Sequence, residues 1–254
     1  MYELLQLPEL HSVHGADVDR VILYVHYLMG ALFIGWLAYF LYALFRFRAS
    51  RNPKASYAGA QTHASSYIEV AVAAIEGVLL VGLSIPLWAK FADAFPPEDE
   101  STVIRVVAEQ FAWHGIHPGP DGEFGRQSFQ LVSSTNHYGW DYSDPAVVDN
   151  FAGAPNEIVV PLGKPVIAHI SSKDVVHSFK INPFRVTQDA IPGMSIPIWF
   201  EPTDPGNYLI NCAQLCGNSH YFMKGFFKVV PQEEFDTYVA EKTAAAAISA
   251  GGFE

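Results

Sequence analysis

The soft metal ligands of this chain are concentrated in one short stretch near its carboxyl end. Between Asn211 and Met223 the sequence places both cysteines of the chain, one histidine and one methionine in the spacing Cys-x3-Cys-x3-His-x2-Met. Thiolate, imidazole and thioether groups together suit copper. Because two thiolates can bridge two metal ions, the spacing predicts a dinuclear copper site that shares an electron, completed by a second histidine from elsewhere. The candidate ligands in this stretch are Cys212, Cys216, His220 and Met223.

Two other interpretations of the cysteine pair stay open at this point. Two cysteines four positions apart, in a domain outside the cytoplasm, are compatible with a disulfide. Zinc also binds cysteine and histidine, although it seldom takes methionine. The stretch lies between two strand-like segments, residues 208–211 and 225–230. The full ligand spacing in that setting favours copper over both alternatives.

The chain is too apolar for an ordinary soluble protein of its length. It has 254 residues, of which 50% are hydrophobic, and a mean hydropathy of +0.15. Residues 21–45 carry no formal charge apart from His26. As a helix this stretch is roughly 37 Å long, enough to cross a bilayer core of about 30 Å. A second apolar stretch occupies residues 67–91. We therefore predict a two-helix transmembrane hairpin with helices at about 21–45 and 67–91.

The charges around the two spans predict their orientation. The loop 46–66 contains basic residues and no acid, so the positive-inside rule places it in the cytoplasm. Both termini then face outward, on the periplasmic side of a bacterial inner membrane. A signal peptide is the competing interpretation of the first span, but residues 1–20 carry Glu3, Glu9, Asp17 and Asp19 against Arg20.

Two carboxyl groups interrupt the second span. Glu69 and Glu76 lie seven positions apart, so they fall on the same helix face. An ionisable group inside a bilayer is costly unless it is paired or hydrated, which makes both residues functional candidates. With the preceding loop in the cytoplasm, Glu69 lies near that interface and Glu76 roughly 10 Å deeper. For Glu69 the alternative is an interfacial residue exposed to lipid headgroups.

After Pro96-Pro97 the pattern changes from helical to strand-like. Short apolar segments are separated by turn signals such as Leu162-Gly163-Lys164-Pro165. This spacing predicts a Greek-key sandwich or barrel. Residues 114–154 are rich in Gly, Pro, Asp and Asn and predict a long loop excursion. The predicted strands are 103–108, 157–161, 165–171, 195–200, 207–211 and 225–230.

The charge and the cysteine count exclude some partners and cofactors. A net charge of −11 argues against nucleic acid as a partner. An acidic outer domain can steer a basic donor protein, and an acidic solubilising surface explains the charge equally well. The sequence contains no Cys-x-x-Cys-His, so no c-type haem is attached to this chain.

The copper stretch and the elements around it resemble subunit II of the haem-copper cytochrome c oxidases, whose electron-accepting copper centre is called CuA. The resemblance covers nearly the whole chain. It implies a membrane-anchored all-β protein, with a transmembrane hairpin at 21–95 and a cupredoxin-like Greek-key β-barrel or sandwich at 96–232. An extracytoplasmic segment, 1–20, precedes the hairpin, and a carboxyl-terminal helix or tail, 233–254, follows the copper domain. The resemblance also implies that the cofactor is two copper ions.

The remaining ligands follow from the same resemblance. The segment Lys173 to Phe179 resembles the family's Asp-Val-x-His-Ser segment, in which the histidine binds CuA; by itself a lone histidine is usually structural. This implies that His177 is the partner histidine. In the family the carbonyl midway between the cysteines is also a ligand, here that of Gln214. The family's usual Glu at that position reaches a magnesium ion at the subunit I border, and an amide is a poorer ligand for a hard cation, so magnesium is in doubt. Asp189 matches a family acid on this border.

Departures from the family pattern fall on the electron-accepting surface and on the second span. The family's Gln-Trp-Tyr-Trp run, where electrons leave cytochrome c, corresponds here to Gln110-Phe111-Ala112-Trp113. Phe111 takes the place of the exposed Trp, and we interpret Trp113 as a packing residue beside the copper stretch. Lys173 stands where many relatives have an acid. We infer a donor other than a freely diffusing, strongly basic cytochrome c, such as a haem domain held in a supercomplex.

The resemblance assigns Glu69 to the mouth of a proton pathway in subunit I. Glu76 replaces a family proline and is a second proton-pathway candidate without an assigned role.

The resemblance implies a subunit of a terminal respiratory oxidase. Its dinuclear CuA centre accepts electrons from a c-type cytochrome and passes them to haem in subunit I, where oxygen is reduced to water and protons are pumped. The implied partners are subunit I with its haem and CuB, subunit III, the donor cytochrome and membrane lipid. The chain is then the electron-transfer subunit of an enzyme and lacks the oxygen site.

Two functions of other classes are the alternatives. A quinol oxidase subunit II keeps the barrel and loses copper, which the intact ligand set argues against. A membrane-anchored copper-delivery protein has an exposed, easily emptied site, whereas these ligands come from two distant segments.

Overall fold

The computed structural model describes residues 6–54, 57–59 and 61–251, with side chains described up to residue 246. The chain divides into two compact units. One is formed by Asp17–Asp93, and the other by Ala94 onward together with the segment before Asp17.

The first unit consists of two long apolar helices. Helix α1 spans Gly15–Phe47. The second helix begins as α2, Ala64–Leu79, passes through a π-helical segment at Leu80–Ser84, and ends as α3, Ile85–Ala92. Both helices are long and apolar enough to span a membrane, with mean hydropathies of 1.9 and 2.2 over an 18-residue stretch of each. Lys90 Nζ lies 2.7 Å from Asp17 Oδ2, which joins the end of the second helix to the start of the first.

The helices are longer than the sequence prediction. Polar residues at their ends, such as Asp17 and Arg46, are helical although they do not belong to the apolar stretch. The hydropathy pattern detects only the part of a helix that is apolar, so its predicted bounds of 21–45 and 67–91 fall inside the observed ones.

Among its described residues, the second unit has ten strands in two five-stranded sheets. The order in the first sheet is β3-β2-β1-β5-β8, and in the second β4-β10-β9-β6-β7. The pairs β1/β5 and β4/β10 are parallel, and the other pairs are antiparallel. The strands are β1 Thr102–Glu109, β2 Ala112–His117, β3 Phe151–Ala152, β4 Glu157–Pro161, β5 Val166–Ser172, β6 His177–Ile181, β7 Val186–Ala190, β8 Ile196–Phe200, β9 Gly206–Cys212 and β10 Lys224–Val230. Helix α4, Gln232–Gly251, follows β10.

The core lies between the inner faces of the two sheets. Alternate residues of β1 are buried completely, as expected for a strand with one face toward the core. Aromatic rings cross the interface: Trp113 contacts Phe179 with ring centroids 5.6 Å apart, and Phe200 contacts Phe227 at 5.4 Å. The burial of these large rings, together with the aliphatic side chains around them, stabilises the sandwich.

The predicted fold class is confirmed by this order of elements: an apolar two-helix hairpin precedes a cupredoxin-like two-sheet β sandwich. The loop predicted at 114–154 is wrong at both ends, because residues 114–117 belong to β2 and residues 151–152 to β3. The residues of β2 include two histidines and a glycine, so they show no apolar alternation. Pairing with β1 decides that they form a strand.

One buried asparagine holds the intervening excursion. Asn150 donates from Nδ2 to the carbonyls of Pro118 and Glu123 and accepts from the backbone N–H of Gly125. The excursion is therefore an ordered part of the second unit.

Candidate metal centre

Strand pairing brings the two parts of the predicted ligand set together. Strands β9 and β10 form a hairpin in which Asn211 pairs with Lys224, so the connecting loop starts at Cys212, the last residue of β9, and runs to Met223. Strand β6 lies on the other side of β9, with Phe179 opposite Cys212. His177, the first residue of β6, is thereby placed beside the loop although it lies 35 positions earlier than Cys212 in the sequence.

The ligand atoms form a continuous chain. His177 Nδ1 lies 3.9 Å from Cys212 Sγ, and the two sulfur atoms are 3.8 Å apart. Cys216 Sγ is 3.4 Å from His220 Nδ1 and 3.7 Å from Met223 Sδ. The carbonyl oxygen of Gln214 lies 3.2 Å from Cys212 Sγ. Both cysteines are free, so the structure contains no disulfide between them.

This donor set fits a soft metal ion. Two thiol sulfurs occupy the middle, one imidazole lies on each outer side, and the thioether and the carbonyl oxygen lie beside different sulfurs. Thioether and thiolate donors together favour copper over zinc. His177, Cys216 and Met223 are 0%, 4% and 2% exposed, so water has little access to these three ligands, whereas Cys212 and His220 are half-buried.

Asp174 orients the distant histidine. Its Oδ1 lies 2.9 Å from His177 Nε2, which leaves Nδ1 directed toward Cys212. The same carboxylate accepts hydrogen bonds from the backbone N–H groups of Gln110 and Val175, each 2.7 Å long. Partial burial raises the pKa of Asp174, but these hydrogen bonds and the nearby histidine outweigh that effect and bring the pKa below its ordinary value. The carboxylate is therefore ionised at neutral pH and holds one imidazole orientation.

The metal-free site keeps a proton on Cys216. Burial and the neighbouring Cys212 raise the pKa of the Cys216 thiol to about 12. Because metals bind the thiolate, cation binding must release this proton.

The loop is tied to the end of β1. Gln110 Nε2 donates to the carbonyl oxygen of Cys216 over 2.6 Å. Gly217, with φ of 138°, lies against the same side chain: a Cβ there would be 2.7 Å from Gln110 Nε2 and 3.1 Å from Phe111 Cζ. Only glycine combines this backbone conformation with this close approach.

The other candidates differ in their burial and in the unit to which they belong. Trp113 is completely buried, with its ring centroid 6.2 Å from that of His177, and Phe111 is half-buried against the core. Gln214, whose backbone carbonyl lies beside Cys212 Sγ, is an exposed residue. Asp189 on β7 is also exposed. Glu69 and Glu76 lie on α2, in the helical unit, and both are exposed in the isolated chain.

Sequence reasoning missed two residues of the centre. Asp174 stands three positions before His177, and an Asp-x-x-His spacing at a suspected ligand is a usable signal for an orienting carboxylate. Gln110 has no such signal, because its contact with the loop joins residues 106 positions apart.

Comparison with known proteins shows which proteins this chain is similar to. The family model described as "Cytochrome C oxidase subunit II, periplasmic domain" matches residues 147–230. The probable cytochrome c oxidase subunit 2 of Rickettsia bellii is 30% identical over 242 residues, which cover 95% of this chain and 82% of that protein. The alternative cytochrome c oxidase subunit 2 of Bradyrhizobium diazoefficiens is 27% identical over 233 residues, with 91% and 82% coverage.

A solved structure is also similar in sequence. The periplasmic domain of subunit II of cytochrome oxidase (CoxB) of Bradyrhizobium japonicum is 27% identical and covers 60% of this chain and 99% of its own, with a TM-score of 0.44. The extent of the similarity to the Rickettsia protein, over most of both chains, establishes the relationship. This chain belongs to the cytochrome c oxidase subunit II family.

Proposed function

We propose that this chain carries electrons from a c-type cytochrome to subunit I of a haem-copper oxidase, through a dinuclear CuA centre. Family membership supports copper binding, a subunit I partner and a membrane-anchored oxidoreductase complex. One observation carries the finer proposal: the two cysteine sulfurs are 3.8 Å apart, with an imidazole nitrogen next to each. When bound, the copper pair supplies a one-electron carrier between the donor and a haem of subunit I, where oxygen is reduced to water and protons are pumped.

The protein residues hold the centre and leave no position for a substrate. All six donor groups come from the loop and β6, and the five side chains among them are buried or half-buried. Asp174 fixes the His177 ring, and Gln110 fixes the loop at Cys216. A frame held by both strand pairing and side-chain hydrogen bonds moves little when the charge changes, which suits electron transfer and does not suit bond chemistry.

The surface around the copper loop, where the electron donor would dock, exposes large apolar side chains, and its Lys173 is already paired with an acid. Lys173 is only 17% exposed, and its ammonium lies 2.7 Å from Glu109 Oε2, so it contributes little free charge. Three large apolar or aromatic side chains on the copper loop are exposed: Leu215 is 77% exposed, Tyr221 77% and Phe222 64%. This surface supports docking by apolar contact, which agrees with a donor held in a supercomplex.

Salt dependence tests the proposed donor. In the complete oxidase, the rate of reduction by the native donor should change little with ionic strength, since apolar contacts are not screened. A steep fall in rate with added salt would contradict a donor docked in this way.

The proton pathway and the orientation are proposals for the helical unit. The basic residues Arg46, Arg48, Arg51 and Lys54 support a cytoplasmic loop and periplasmic termini. Glu69 and Glu76 occupy one face of α2. In that orientation Glu69 lies near the cytoplasmic mouth of the proposed proton pathway in subunit I. We assign residues 96–232 to the copper domain. Subunit III completes the proposed complex.

The magnesium site remains doubtful for this chain. The family's acid at the cysteine midpoint is here the amide of Gln214, and Asp189 is the nearest matching acid on the subunit I border.

Copper stoichiometry with electron paramagnetic resonance tests the proposal most directly. The purified full chain in detergent, loaded with copper, should hold two coppers and give a seven-line mixed-valence spectrum. Cys216→Ser is the matched variant, because it keeps the loop and removes one bridging sulfur, and it should lose the seven-line pattern. A four-line single-copper spectrum from the unchanged chain, or a disulfide between Cys212 and Cys216, would refute the dinuclear assignment.

A further inference from the structure

A second cluster of metal-ligating side chains lies on the outer face of the first sheet. Val107 pairs with His114, and Glu109 pairs with Ala112, so Glu109 and His114 are diagonal neighbours on adjacent strands. Both side chains point to the same face of the sheet. The ordered excursion between β2 and β3 folds back over this face and adds His137.

The three candidate ligand groups face one another. Glu109 Oε1 lies 2.8 Å from His114 Nε2 and 3.0 Å from His137 Nε2. All three donor atoms lie within 4.8 Å of one another. Ligand bonds of about 2.0 to 2.2 Å, as zinc makes with imidazole and carboxylate, would fit between atoms at these separations after small rotamer adjustments.

The surroundings of His114 resemble those of a metal ligand. Its other nitrogen, Nδ1, lies 3.2 Å from the Tyr138 hydroxyl, a hydrogen-bond partner that fixes the orientation of the ring. The side chain is 4% exposed, and burial lowers its pKa despite the adjacent Glu109 carboxylate, so the imidazole is neutral at neutral pH. Neutral imidazole is the form that binds metals. His137, at 46% side-chain exposure, gives a cation access from solvent.

A cation already occupies part of the cluster. The Lys173 ammonium lies 2.7 Å from Glu109 Oε2 and 3.1 Å from His137 Nε2. Its position shows that this arrangement of oxygen and nitrogen atoms stabilises positive charge. It also means that a metal ion would compete with Lys173 for Glu109.

We propose that Glu109, His114 and His137 form a second metal site, for a divalent cation of borderline character such as Zn²⁺. Two imidazoles and one carboxylate are a common ligand set of zinc sites that keep an open position. The site shares no ligand with the copper centre and offers no sulfur donor. It does not depend on the electron-transfer function proposed above.

Zinc titration of the full chain in detergent, with the copper centre already loaded, tests the proposal. The wild-type chain should bind one Zn²⁺, and X-ray absorption at the zinc edge should show nitrogen and oxygen ligands without a sulfur shell near 2.3 Å. His137→Gln should weaken zinc binding by about tenfold or more. Lys173→Met should strengthen it by about three- to tenfold, because a competing positive charge is removed.

The variants separate a metal site from a purely structural ion-pair cluster. His169→Gln, a histidine change on β5 of the same sheet but outside the cluster, should leave the zinc affinity unchanged. The strengthening by Lys173→Met cannot result from misfolding, and the copper spectrum of each variant reports whether the domain is intact. The proposal is overturned if the wild-type chain binds no stoichiometric zinc, if the bound zinc has sulfur ligands, or if His137→Gln and Lys173→Met bind zinc as the wild type does.

Discussion

Replacing Asp174 by asparagine should weaken copper binding by removing the group that orients His177. The carboxylate accepts its shortest hydrogen bonds, of 2.7 to 2.9 Å, from His177 Nε2 and from the backbone N–H groups of Gln110 and Val175. An asparagine of the same shape has only one acceptor oxygen. Whichever way its amide is turned, an NH₂ group then faces at least one of these donors.

The size of the effect follows from these contacts. Loss of an orienting partner typically reduces metal affinity about 10- to 100-fold. The Asp174 side chain is 33% exposed, so water partly compensates, and we expect about tenfold. The metal-free chain should also lose about 2 kcal/mol of unfolding free energy, because hydrogen bonds to a charged group are replaced by a donor facing a donor.

The measurement is a copper titration of the full chain in detergent against a competing chelator. Asp189→Asn is the control, since it makes the same chemical change at an exposed carboxylate on β7. Equal copper affinity for Asp174→Asn, Asp189→Asn and the wild type would refute the orienting role of Asp174.

Three further predictions concern the copper loop and the core. Gly217→Ala should cost about 1 to 3 kcal/mol in unfolding free energy and distort the copper spectrum, because its Cβ would lie 2.7 Å from Gln110 Nε2. The control is Gly163→Ala, at a φ of 78° with nothing within 4 Å, which should cost only about 1 kcal/mol and leave the spectrum unchanged. Equal costs for the two variants would contradict the steric explanation. Burial lowers the pKa of His117 to about 4, so below about pH 6.5 the unfolded chain gains a proton that the folded chain does not, and stability falls with pH. Between pH 7 and pH 5 His117 should contribute about 2 kcal/mol to this loss, so denaturant unfolding of His117→Phe should show a loss smaller by that amount, and an unchanged pH slope in the variant would disprove this source. Gln214→Ala should keep the copper affinity of the wild type in the same chelator competition, because alanine retains the backbone carbonyl near the metal ligands and the lost side chain is exposed. A tenfold loss of affinity would show that the side chain matters.

Much of the architecture could be predicted because it depends on local patterns. The two apolar spans are visible from hydropathy alone, and most strands of the sandwich show apolar segments bounded by turn signals. Strand β2 escaped prediction, because its histidines face the outer cluster or the α4 side and give no apolar alternation. Its partner β1 directly precedes it in the sequence, but only the pairing of the two strands in the folded sheet shows that residues 112–117 are extended.

The candidate copper ligands also differ in whether a local sequence pattern identifies them. The loop residues lie within twelve positions, so their spacing in the sequence identified them as a set. His177 needed a resemblance to be singled out, because one histidine in a strand-like segment is not diagnostic. Its placement beside Cys212 depends on β6 pairing with β9. The copper number and the roles of the other candidates stay predictions.

The sequence by itself determined which atoms are available for a soft metal and which segments can cross a membrane, because both depend on residue types within a short stretch. Only the tertiary structure decided how these atoms are oriented. The Asp174 contact with Gln110, the Gln110 contact with the copper loop and the Glu109–His114–His137 cluster each need strand register or the folded excursion. The physical reason is that hydrogen-bond geometry is set by the packing of segments distant in sequence, which local composition does not encode.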